Sequence, residues 1–433
     1  MPPKRLRFIE RRKAAGYTQE TFAEALHVDR TTIGRWERGD SDPQPYIRPK
    51  LARLLHVSPR ELASLLGEGT ESAVIVPPAD PDEGADVHRR QFLSVSSVAA
   101  VHSVSPVPKR VIEALDIILA RDADTLGVAV DSLHELVTHY TEVLPSTPPA
   151  SLYDDLLSVR SYANTLVSHA RMTPYFADLM GVAGWLSNLL AVTTSYLGDH
   201  GTALLWCADA ERQGEACGQP DLVGWATLSR ATIAYYKGQA RRSSELAQRG
   251  QHTALVGSVV RAKLAAQEMR ALAMLGDVDG MAHARTGARR ALESLSPEPA
   301  RKGVFSIALG DDPPYTATSL LHVGKFGDAA QATREVLETA YPASGFEQER
   351  STNYARTQLI LGLAEAGQGN VGEAVAAGHA ALGGADAVWP TLVLAGKLDR
   401  TLMRNHGGAP EVAEYHERYR HAALATSPVV KEG

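Results

Sequence analysis

The spacing of apolar residues changes character along the chain. Between Thr18 and Gly39 two short runs follow helical spacing: Phe22, Ala23 and Leu26, then Ile33 and Trp36. Thr18 and Asp29 stand just before them, and both residue types make good N-caps, because a short side-chain oxygen accepts the free N–H groups of a first helical turn. From Gly67 to Pro108 the periodicity is lost. Val76-Pro77-Pro78-Ala79-Asp80-Pro81-Asp82-Glu83-Gly84 cannot hold a regular helix and reads as a linker.

Beyond residue 109 long apolar-periodic helices recur, each broken by a glycine corner and resumed by a helix with a small residue near its start. The corners are Tyr196-Leu197-Gly198-Asp199 leading to Ala203, Tyr236-Lys237-Gly238 to Ser243, Leu275-Gly276-Asp277 to Met281, Val323-Gly324-Lys325 to Ala329, and Gln368-Gly369-Asn370 to Ala374. Their offsets, taken at the last residue of each, are 40, 38, 48 and 45. The corner chemistry resembles the tetratricopeptide repeat, whose unit is about 34 residues, although the full Trp, Tyr and Pro signature is absent. That resemblance implies helix hairpins stacked into a superhelix whose first helices line a concave wall. Polar residues inside those apolar helices are then ligand candidates: Asn188, Arg230, Asn353 and Arg356, with Asn164 on an earlier helix. An Asn amide offers a donor and an acceptor together, as an extended peptide backbone requires. The stretch from Pro297 to Pro314 is too rich in breakers to stay helical and is expected to form an inter-repeat loop, with Asp311 and Asp312 serving solubility.

The region around the first helix pair carries a second resemblance. Gln19, Phe22-Ala23, Ile33, Trp36-Glu37 and Gly39 resemble the helix-turn-helix of the Cro and phage-repressor class of transcription regulators, over roughly residues 5 to 66. The resemblance implies a five-helix head, with a helix before the pair over 6–15 and two after it over 45–55 and 58–66, in which the residue matching Gln19 touches a phosphate and those matching Arg30, Thr31 and Arg35 read bases. Arg30, Thr31, Thr32 and Arg35 face outward on the second helix, are able to bond base edges in a major groove, and Arg38 continues the basic face. Arg12 and Glu37 match a structural ion pair of that class. Trp36 shares a stripe with Ile33 and is expected in the core.

Charge divides the chain in the same place. Residues 1 to 66 hold 13 Lys plus Arg against 8 Asp plus Glu, a net of +5; the whole chain is −6, which leaves −11 for the remainder. A basic head attracts a polyanion, and an acidic remainder discourages non-specific wrapping. Arg48, Lys50 and Arg53 either extend the grip on the backbone or keep the head soluble. Arg89-Arg90-Gln91-Phe92-Leu93 mimics a twin-arginine export signal but follows a DNA-binding head, so a segment that docks the linker onto the next domain is expected instead. No apolar run reaches the roughly 20 residues that would predict a membrane span.

Two cysteines, Cys207 and Cys217, lack metal-pair spacing and read as small buried residues of a reducing compartment. The histidine pairs His134/His139 and His416/His421 are five apart, not the three or four that share a helix face. No phosphate loop, nucleophile elbow or calcium loop is found, so neither an enzyme nor a cofactor is expected. The expected protein is all-α, with a DNA-binding head over 1–67, a linker with a docking segment over 68–108 and a tetratricopeptide-like sensor and dimerisation body over 109–433. Its expected partners are an inverted-repeat operator in double-stranded DNA, a second copy of the chain, and a signalling peptide, small molecule or protein in the groove, at a cytoplasmic location. The rival reading is an interaction scaffold whose head only tethers weakly to DNA.

Overall fold

The computed structural model describes residues 5–26, 28, 30–38, 43, 51, 54, 55, 57, 62, 65, 66, 107–119, 126–295, 303–307, 312–341, 351–383 and 387–426. Among them the protein is all-α, and it divides into two compact units, Met1–Ser105 and Pro106–Gly433. The linker with its Arg89-Arg90 segment, Asp29, Arg48, Lys50, Arg53, Asp311 and Pro297–Pro299 lie outside the described residues.

The first unit contains α1 (Leu6–Ala14), α2 (Gln19–Leu26) and α3 (Arg30–Arg38). Thr18 starts α2 through a reciprocal cap: its Oγ1 accepts the Thr21 N–H at 3.1 Å, while its own N–H donates to Thr21 Oγ1 at 2.9 Å. The end of α3 is capped by Arg5, whose N–H donates to the Glu37 carbonyl and whose guanidinium donates to the Trp36 carbonyl. Phe8, Phe22 and Ile33 are completely buried, and Trp36 joins them in one core with Leu51, Leu55, Leu62 and Leu66. Each such side chain contributes roughly 1.5–3 kcal/mol on leaving water. Leu51, Leu54, Leu55, Leu62 and Leu65 are helical where two further helices are expected.

The second unit opens with α4 (Val107–Leu119), α5 (Leu126–Val143) and α6 (Pro149–His169), then runs in hairpins. These are α7 (Phe176–Tyr196) with α8 (His200–Cys217), α9 (Pro220–Tyr236) with α10 (Ala240–Thr253), and α11 (Val259–Leu275) with α12 (Val278–Glu293). They continue with α13 (Thr316–His322) and α14 (Phe326–Ala340), α15 (Thr352–Gln368) and α16 (Val371–Ala381), and α17 (Trp389–His406) and α18 (Pro410–Thr426). Each first helix packs on its own second helix and on the first helix of the next pair, the contact order of a helical repeat.

All five glycine corners fall where expected. Gly198, Gly238, Gly276, Gly324 and Gly369 hold φ of 84°, 77°, 77°, 76° and 86°, a left-handed turn that a Cβ would strain. Asp199 and Asp277 then cap the second helix by accepting the Thr202 and Gly280 N–H groups at 3.0 and 2.8 Å. Ala203, Ser243, Ala329 and Ala374 are fully buried at the helix crossings, where only a small side chain lets the backbones approach.

Three expectations change. The helix α7, 21 residues long, is long and apolar enough to cross a membrane by length and composition, yet 67% of that window is buried inside the body, where it packs on α5, α6, α8 and α9. The breaker-rich stretch is more than an inter-repeat link, because residues 303–307 pack onto the first helices. Phe305 lies between Trp185 and Trp225, with ring centroids 5.1 and 5.0 Å away, and the Val304 N–H donates to the Thr141 carbonyl at 2.9 Å. Asp312 does more than solubilise a loop, since its carboxylate accepts from Arg285 of α12 at 2.6 Å and lies 3.9 Å from Arg289.

The row of first helices curves back on itself. α7 touches α17, the His200 and Trp389 rings sit 3.9 Å apart, and Arg356 of α15 donates to the Tyr196 hydroxyl at the end of α7 over 3.4 Å.

Candidate nucleic-acid interface

The two faces of α3 differ in chemistry. Ile33, Gly34, Trp36 and Glu37 face the core, while Arg30, Thr31, Arg35 and Arg38 are exposed and Thr32 is half-buried. From Arg30 to Arg38 the helix rises about 12 Å, close to the width of a B-DNA major groove. Arg35 makes no hydrogen bond or ion pair with any described residue. Arg30 is engaged: its Nε lies 2.8 Å from Glu20 Oε1, with both side chains more than half exposed. The Arg38 guanidinium lies across Gly34, where an added Cβ would come within 3.2 Å of its Nη1.

Glu37 fixes how α3 sits on its neighbours. Arg12 of α1 donates from Nε to Glu37 Oε1 at 2.8 Å and from Nη1 to the Tyr17 carbonyl, and Gln19 of α2 donates to Glu37 Oε2. One buried carboxylate therefore ties α1, α2 and α3 together. Gln19, expected at a phosphate, spends one amide hydrogen inside the head. Its second hydrogen is still available beside the start of α2, where unsatisfied N–H groups favour an anion.

Residues 8–62 match the family described as Helix-turn-helix. Over 52 residues the chain is 44% identical to the uncharacterized HTH-type transcriptional regulator YazB of Bacillus subtilis (strain 168), which covers 12% of this chain and 75% of that protein. The chain belongs to the helix-turn-helix family. The likeness ends with the head, so the family accounts for α1 to α3 and says nothing of the larger unit.

In that unit the five residues selected as ligand candidates have different surroundings. Asn188 is completely buried, and its Nδ2 donates to the Leu222 carbonyl at 3.3 Å, so it braces α7 against α9 and reaches no groove. Arg230 turns toward α8 and holds both oxygens of Glu211 at 2.9 and 2.7 Å. Asn164 is exposed on α6. Only Asn353 and Arg356 come together: the Asn353 carbonyl oxygen accepts from Arg356 Nη2, and Arg356 also donates from Nε to the Thr352 carbonyl at 3.1 Å.

Sequence reasoning missed the neighbours of Arg356. Arg270 of α11 is sandwiched between Tyr235 and Tyr315, its guanidinium carbon 3.9 and 4.0 Å from the two ring centres. Lys263 of the same helix donates to the Ser306 carbonyl at 2.8 Å and faces the Trp225 ring. Burial alone would push the Tyr315 hydroxyl up, but the charges of Lys263, Arg270 and Arg356 outweigh it and hold the hydroxyl below its ordinary value. Burial pushes the Lys263 ammonium down, with Arg356 and Arg270 adding to the effect. Tyr315 itself has φ of 73°, a strained backbone for a residue with a Cβ. The available signal was the aromatic residue at two of the glycine corners, Tyr196 and Tyr236, which places a ring at the end of a first helix each time.

Proposed function

We propose that this protein is a sequence-specific, DNA-binding transcriptional regulator that acts in the cytoplasm as a homodimer on an inverted-repeat operator. The observation that carries the reading is the exposed Arg30, Thr31, Arg35, Arg38 face of α3, backed by Ile33 and Trp36, in a chain that belongs to the helix-turn-helix family. Arg30 and Arg35 contact guanine edges, Thr31 and Thr32 contact bases or phosphates, and Gln19 and Arg38 contact the backbone. Two heads are needed, because a single helix-turn-helix buries too little surface to specify a site, and half-sites then lie about 34 Å apart.

The larger unit supplies dimerisation and a tetratricopeptide-like sensing surface, on which Asn353 and Arg356 are the ligand-binding residues kept from the sequence reading. A ligand there biases the dimer between a spacing that matches the operator and one that does not, and it does so only by binding one state better. The reading is tested by selecting bound duplexes from a random-sequence pool with the purified full chain. An enriched two-fold site supports it; a pool that stays random after repeated rounds at physiological salt refutes it.

A further inference from the structure

Three other arginines of this unit meet carboxylates: the buried Arg160 reaches Asp209 at 2.6 Å, the half-buried Arg230 is held by Glu211, and the exposed Arg334 meets the buried Glu365. Lys263, Arg270 and Arg356 differ: none lies within ion-pair distance of a carboxylate among the described residues. Arg270 is 3% exposed, its hydrogen bond goes to the neutral Gln267, and its Nε donates to nothing. Three neighbouring cations, one of them almost fully buried, with no carboxylate partner among the described residues are costly unless something anionic joins them.

We propose that Lys263, Arg270 and Arg356 form the binding site for a small organic anion with at least two negative charges, borne as phosphate or carboxylate groups. The site rests on the sensing role given to the repeat unit and names the ligand's chemistry. Arg270 is pre-set for it. Tyr235 and Tyr315 clamp the guanidinium plane, and the donors not used by Gln267 remain for an oxyanion. The strained turn at Tyr315 brings its ring against Arg270 and its hydroxyl into the field of all three cations. Tyr196 and Tyr236 complete an aromatic wall beside Arg356, whose guanidinium carbon is 5.8 Å from the Tyr196 ring centre. Such a wall accepts a flat or apolar ligand body.

The ligand is a small anion and not an extended peptide. A peptide backbone carries no net charge to offset three cations, and of the asparagines suited to clamp one, Asn188 is sealed in the core, Asn164 stands exposed on α6, and the Asn353 carbonyl oxygen is already taken by Arg356. Charge separation favours the same occupant: a body of strongly negative net charge keeps an unmatched cationic cluster at these three residues, so a multivalent anion gains most there.

The test is calorimetric titration of the full chain with pyrophosphate and, separately, citrate, at constant ionic strength with chloride as the competing anion, followed by melting of the wild type, Arg270→Met and Arg356→Met. Saturable binding of one or both probes at one site per chain is expected, and the stronger probe tells phosphate from carboxylate chemistry. Each variant should weaken that probe about tenfold or more. Each should also melt no lower than wild type without the probe, because it removes an unmatched cation. Failure of both probes to bind overturns the site, as does unchanged probe binding in a folded variant. A variant that melts lower without probe shows a structural arginine and overturns it too. The titrations contain no DNA, so the site can fail while operator selection succeeds, and the reverse.

Discussion

The Arg12 guanidinium and the Glu37 carboxylate meet at 2.8 Å with both side chains about 6 to 7% exposed, so α3 is locked to α1 by a charge pair sealed from water. Removing one partner leaves the other buried and unmatched. Arg12→Ala and Glu37→Ala should each lower the head's stability by about 3–5 kcal/mol, whereas replacing both by methionine should recover much of the loss. Hydrogen exchange of the α1 and α3 amides over a denaturant series measures this; additive losses in the double variant would show that the pair is uncoupled.

If Arg30 contacts DNA as proposed, Glu20 competes with the DNA for it. In the free protein its carboxylate holds Arg30 at 2.8 Å on the surface, a contact that contributes little to stability but must be exchanged for a phosphate or base edge on binding. Glu20→Gln should tighten binding to every duplex by about two- to fivefold at low salt and lose that gain as salt rises. Fluorescence anisotropy over a salt series reads it; weaker binding at every salt would mean that Glu20 positions Arg30 for DNA.

Two glycines of one hairpin should respond in opposite directions to alanine. Gly276 sits at φ 77°, so Gly276→Ala strains the corner and should cost on the order of 1 kcal/mol. Gly287 lies in the exposed middle of α12 with nothing within 4 Å of an added Cβ, so Gly287→Ala should add about 0.5–1 kcal/mol. The shifts in melting temperature should have opposite signs.

His322 makes the body sensitive to acid. Burial, with Lys397 and Arg270 nearby, pushes its imidazole from 6.5 down to about 3, and its Nε2 pairs with the Tyr235 hydroxyl at 2.7 Å. Between those values the unfolded chain binds a proton that the folded chain refuses, so stability rises with pH through this window and is lost as pH falls below the ordinary histidine range. The loss approaches roughly 1.4 kcal/mol per pH unit for one proton. Melting from pH 7 to pH 4 should show a shallower decline in His322→Gln than in wild type.

What was legible in the sequence was what depends on neighbours along the chain. Thr18, the stripe of Phe22, Ile33 and Trp36, and the five glycine corners are local devices, and each sits where spacing predicts it. The Arg12–Glu37 pair was legible through family resemblance. Side-chain destinations set by packing between distant elements were not. Asn188 looked like a groove residue because it breaks an apolar helix, yet it finds the Leu222 carbonyl on the adjacent helix. Arg270 and Tyr315 are 45 residues apart in a chain with no motif linking them, and only the stacking of α11 on α13 brings them together. Phe305 gave no sign, amid proline and glycine, that it would lie between two tryptophans.

Everything proposed for the head depends on base reading by α3. Anisotropy titrations with the selected operator and a scrambled duplex of equal length measure it, using wild type, Arg30→Ala and Arg35→Ala. Wild type should prefer the operator by about a thousandfold or more, and each variant should lose about ten- to a hundredfold of that preference while binding the scrambled duplex nearly as before. Equal weakening on both duplexes, or an unchanged preference in both variants, would contradict it.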